Sequence, residues 1–93
     1  MATKKPEWLK EGEGFVDVTL SRAVDMGGVK MTTLRMREPT VEDSMAASDK
    51  EGSDAEREVF AIACLVEQAP EHLRKLSLRD FKRLQVAYLS FTD

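Results

Sequence analysis

A single cysteine, Cys64, and a single histidine, His72, are the only thiol and imidazole in 93 residues. One cysteine forms no disulfide within its own chain, which excludes a disulfide-stapled scaffold and a cysteine-rich zinc site and fits a reducing compartment. Cys64 stands inside an apolar run and reads as a small core residue, so neither a cysteine–histidine pair nor a two-histidine metal site is expected. His72 reads as exposed on a short helix, with no patterned partner for a catalytic role. Long hydrophobic runs are missing too. The longest, residues 59–66, has eight apolar residues, well short of the roughly 20 that a membrane-spanning helix needs. The opening MATKKPEWLKEGEG lacks the apolar stretch and small-residue cleavage site of a secretory signal, so the expectation is a protein that stays in the cytoplasm where it is made. Glycine is scarce, and its one pair, Gly27-Gly28, falls between strands rather than in a phosphate loop. These absences point away from an enzyme, a metal site or an organic cofactor.

What the chain does have is charge, at 33%, and hydrophobic residues, at 42%. That balance describes a soluble globular chain. Its length allows one domain, which buries only about 60–65% of its unfolded surface, so the core is small. A net charge of −3 and a pI near 5.2 weigh against general nucleic-acid binding, which draws its affinity from cationic neutralisation of phosphates. The charge is uneven. Residues 38–58 hold eight acids against two bases, while residues 71–83 hold five bases against two acids, an asymmetry that suits association.

Along the chain, residues 1–14 show no usable period and are expected to form a flexible N-terminal arm. Residues 15–93 then form a single domain. Trp8 is expected to fold back on that domain or to stay loosely exposed, the sharper alternative being an anchor for a partner. From Phe15 to Met26 the apolar residues Val16, Val18, Leu20, Val24 and Met26 alternate as in a half-buried strand. Gly27-Gly28 supplies a two-residue turn, and a second strand runs from Val29 to Arg37, with Met26 facing Val29 and Val24 facing Met31. Strict alternation would leave Leu34 and Met36 outside, so a β-bulge near Thr32-Thr33 is expected, placing Leu20 opposite Met36.

Pro39 then ends the strand and pushes Glu38 into extended geometry, while Thr40 with Asp43 caps a short helix. Arg37 is placed to bridge to Glu42 or Asp43, so Arg37, Glu38, Pro39, Thr40 and Asp43 make a structural corner. Ser53 with Glu56 caps a second helix carrying VFAIACLV, which is apolar on every side and wants cover on every side. With so small a core, a second copy of the chain is expected to supply part of that cover, making a homo-oligomer. Pro70 opens a short third helix, and Ser77 with Asp80 caps a last one whose inward stripe is Leu78, Phe81, Leu84, Tyr88 and Phe91. The fold class is α+β, an N-terminal β-hairpin packed against three to four α-helices. Arg79, Lys82 and Arg83 share the outer face of the last helix, a faint helix-turn-helix outline whose bland reading is a solvated basic face.

This order of signals, a VTLSRAV strand, a glycine turn, the corner LRMREPTVED and a closing LSLRDFKRLQVAYLSF, resembles the Mu-like family of small phage tail assembly chaperones. The matching positions are Leu34, Arg37, Glu38, Pro39 and Thr40 at the corner, then Leu78, Asp80, Phe81, Leu84 and Phe91. Gly27 before Gly28 departs from relatives that more often have an acidic residue before one glycine, which leaves the hairpin intact. The resemblance implies a non-enzymatic helper, encoded beside the phage tape-measure protein, that binds this long aggregation-prone partner during tail assembly. It implies action in the bacterial host cytoplasm, absence from the mature virion, and a longer frameshifted form of which this chain looks like the short version. The client contact is expected on Phe60, Ile62 and Leu65 with Met31 and Met36, the apolar residues a small core leaves over. Two other readings stay open: a small DNA-binding regulator using the basic last helix, and a structural tail subunit.

Overall fold

The computed structural model describes residues 5–92. Three antiparallel strands, β1 (Leu9–Gly12), β2 (Phe15–Met26) and β3 (Val29–Arg37), precede four helices, α1 (Val41–Asp49), α2 (Asp54–Leu65), α3 (Pro70–Arg74) and α4 (Leu78–Ser90). The α+β class expected from the sequence is therefore the class observed, with one strand added. Residues 9–12, expected to belong to a flexible arm, pair with β2 as an edge strand, Leu9 facing Val18 and Gly12 facing Phe15. Leu9 is buried and Trp8 is half-buried against the core, which is what holds this segment down. Residues 1–4 of the expected arm lie outside the described residues.

At the β2–β3 turn Gly27 and Gly28 have φ of 64° and 88°, the left-handed pair that a tight hairpin turn demands and that side chains resist. Around it Met26 faces Val29 and Val24 faces Met31, while farther along Thr19 faces Thr33. Between those two regions, residues 20–23 of β2 stand against Thr32 alone. The irregularity lies where the phase of β3 required one, but the extra residues belong to β2. Leu20 therefore does not face Met36; Val16 does, and Val18 faces Leu34. All five of these side chains are buried, so the bulge restores the helix-covered face.

The other sheet face is polar. Asp17 accepts from Arg35 Nε and Nη2 at 2.8 and 3.0 Å, and the Arg35 guanidinium lies 3.8 Å from the Phe15 ring centroid. The first hydrogen bonds hold the Asp17 carboxyl below its ordinary range.

On the covered face α4 lies against β2 and α2 against β3. Ile62, Ala63, Leu65, Leu84 and Ala87 are each at most 1% exposed there. Thr40 and Ser53 cap α1 and α2 with complete reciprocal boxes to Asp43 and Glu56. At α4 only half the expected box forms. Ser77 Oγ accepts from the Asp80 amide, but the Asp80 carboxylate turns into the core and accepts from Ser21 N at 2.8 Å. Ser21 lies in the bulge, where the strand ladder leaves its amide without a partner.

Candidate functional site

The corner after β3 is closed by one carboxylate. Asp43 accepts from Arg37 Nη1 at 2.7 Å and Nη2 at 2.9 Å, and from the Thr40 amide at 2.8 Å, while its own amide donates to Thr40 Oγ1 at 3.2 Å. The Arg37 hydrogen bonds first, and the Thr40 amide second, hold the Asp43 carboxyl far below the usual carboxylate range. The Glu38 amide donates to Gly14 O at 3.0 Å, tying the corner to the β1–β2 turn. Helix α1 needs these ties, because it buries none of its own side chains. Val41 and Met45, one turn apart on its outer side, are 77% and 61% exposed.

Helix α4 has a similar outer side. Leu78 is 78%, Val86 44% and Leu89 63% exposed, and at about 100° per residue the three fall within roughly 80° of one another. Leu78 thus leaves the inward stripe expected for it; the buried stripe centres on Leu84 and Ala87, with Phe81, Tyr88 and Phe91 half-buried. Between α1, α2 and α4 lies an open cleft of about 620 Å³ whose lining includes Ser44, Ala47, Ala55, Ala61 and Tyr88. Small side chains along such a cleft let another backbone approach closely.

The five expected client-contact residues are not gathered on one surface. Met36, Ile62 and Leu65 are at most 1% exposed and offer nothing to a partner, because the inner faces of the sheet and of α2 meet there. Met31 is half-buried beside Val24. Phe60 is half-buried on the flank of α2 away from the cleft, with Lys50 Nζ 5.0 Å from its ring centroid, and lines a recess of about 280 Å³. Cys64, expected in the core, is exposed. The run in α2 is therefore covered on one side only, leaving Phe60, Ala61 and Cys64 as an open flank. The signal that pointed to the surface residues was their excess over the buried stripe in α4 and the weak amphipathicity of α1, not the longest apolar run.

His72 Nδ1 sits 3.0 Å from Gln68 Oε1, and no group of three or more potential metal ligands occurs among the described residues. No helix among them is long and apolar enough to cross a membrane. The basic face of α4 is smaller than its sequence suggests. Arg83 donates to Thr19 O at 2.8 Å and lies 5.2 Å from the Trp8 ring centroid, which leaves Arg79 and Lys82 as its exposed cations.

Comparison with known proteins gives one family. The model described as phage tail assembly chaperone proteins, E, or 41 or 14, matches residues 17–93. Searches of curated proteins and of solved structures return no match.

Proposed function

The chain belongs to the phage tail assembly chaperone family, and from that premise we propose that it binds the tape-measure protein and keeps it soluble while the tail is built. It acts without catalysis, in the cytoplasm of the bacterial host, and leaves before the virion is complete. The observation that carries this reading is where its unpaired apolar surface lies. Five exposed large apolar residues, Val41, Met45, Leu78, Val86 and Leu89, occupy the outer sides of α1 and α4, and between α1, α2 and α4 opens a cleft where Ala47, Ala55 and Ala61 stand among Asp54, Arg57, Glu58 and Tyr88. Exposed apolar surface of this kind marks interaction sites. An amphipathic client helix laid in the cleft would meet Ala47, Ala55 and Ala61 on its floor. Phe60 and Met31 keep partial exposure but lie off the cleft, and Met36, Ile62 and Leu65 are buried, so the cleft rather than these five carries the contact.

The reading extends to self-association and to a longer frameshifted form sharing this domain. Its test is co-expression of the tagged chain with the long tape-measure candidate of the same genome. The expected result is a client that is insoluble alone and co-elutes with the chain, and that is lost with Ala55→Arg, an exposed position whose substitution fills the cleft without touching the core. A client that is soluble alone and not retained overturns the reading.

A further inference from the structure

The outer sides of α1 and α4 match each other. On α1, Val41, Met45, Asp49 and Glu42 fall within roughly 100° of one another at 3.6 residues per turn, and all four are exposed. On α4, Leu78, Leu89, Lys82, Val86 and Arg79 fall within the same width and are all exposed. One stripe joins two apolar residues to two acids, the other three apolar residues to two bases. Neither is paired within the fold: Glu42, Asp49, Arg79 and Lys82 form no ion pair among the described residues. The α4 stripe is continued by a recess of about 480 Å³ against Trp8.

We infer that α1 of one copy docks along the outer face of α4 of a second copy, Val41 and Met45 against Leu78, Val86 and Leu89, with Glu42 and Asp49 facing Arg79 and Lys82. This deepens the self-association in the function proposed above by naming its two surfaces. Charge complementarity selects a second copy over an arbitrary apolar partner, because opposite charges steer the stripes together and two α4 faces or two α1 faces would repel. The two stripes are different patches, so the contact is heterologous, and each added copy leaves one free stripe at either end. A pair of helices of nine and thirteen residues makes a small interface, so the contact is weak between free copies. It strengthens where a long client already holds copies side by side and raises their effective concentration.

The test uses the full chain without any client, so its failure is separate from failure of the client-binding reading. Sedimentation velocity across a concentration series at low and high salt should show reversible growth beyond the dimer that salt suppresses. Met45→Asp and Val86→Asp, both at exposed positions, should each leave a folded monomer by circular dichroism, and an equimolar mixture of the two should form a dimer that grows no further. Lys82→Glu or Glu42→Lys alone should weaken association about tenfold, and the two together should restore it. A chain that stays monomeric throughout the series overturns the proposal. So does association that survives Val86→Asp, or a mixture of the two aspartate variants that does not pair. Loss of tape-measure binding in Val86→Asp, with a wild-type chain that does not self-associate, assigns the α4 face to the client instead.

Discussion

Asp80 is wholly buried, with Oδ1 accepting the Ser21 amide and Oδ2 finding no partner among the described residues. The carboxylate accepts the amide that the bulge frees from the strand ladder. Asp80→Ala removes that acceptor and should destabilise the fold by about 1–3 kcal/mol. Asp80→Asn keeps an oxygen in place for the Ser21 amide, so it should be less destabilising than the alanine variant. A chemical denaturation series that finds the alanine variant as stable as the asparagine variant would contradict this role. Glu67 makes the opposite case. It holds φ of 57° just past α2, with Gln68 N donating to Ala63 O at 3.0 Å, the helix-ending position at which glycine is most at home. Glu67→Gly should raise stability by about 1 kcal/mol.

The pH dependence of the corner follows from Asp43. Its folded-state pKa is depressed, so the stability it contributes is present above the unfolded carboxyl value of about 3.9 and is lost as pH falls through that value toward the folded one. Denaturation midpoints measured from pH 7 downward should therefore drop below about pH 4. Asp43→Asn should be less stable at neutral pH and lose part of that acid dependence. An unchanged acid slope in the variant would show that other carboxylates carry it.

At the scale of elements, α1 is the weakest. It has nine residues, no buried side chain, and stays helical through its cap and the Arg37 pair. Helices this short are marginal in water without tertiary packing. Amide exchange should thus be faster in α1 than in α2 or α4, and Thr40→Ala should cost about 1 kcal/mol while raising exchange in α1 most. Protection of α1 equal to that of α4 would mean that something else holds it. What could be read from sequence follows the range of the signal. The hairpin is local, set by Gly27-Gly28 and the alternation beside it, and the caps at Thr40 and Ser53 need only three residues each. β1 was hidden because one buried residue, Leu9, gives no period, and its turn through Gly14 is visible only once β2 is in register. The phase problem in β3 was legible, but which strand holds the extra residues depends on Asp80 in α4, far along the chain. Leu78 misled because it lies three residues before Phe81, yet about 120° around the helix from Leu84, beyond the edge of the packed face. The apolar run misled likewise: its deepest residues meet the sheet, and Cys64 is left outside.

Taken whole, the molecule is two layers with unlike outer surfaces. The free sheet face is closed by the Asp17–Arg35 pair over Phe15, and charged pairs of this kind on a sheet discourage further association. The helical layer carries the cleft and the exposed apolar stripes. A client should therefore be held on one side only. Amide exchange of the chain with and without bound tape-measure protein should show added protection in α1, α2 and α4 and none at positions 17, 33 and 35. Arg35→Ala should leave client retention unchanged, since a surface pair contributes little and its loss exposes no cleft residue. Ala55→Arg should abolish retention in the same assay with the fold intact. If Arg35→Ala released the client while Ala55→Arg did not, the binding side would be the sheet, and the apolar stripes on the helices would serve only contacts between copies.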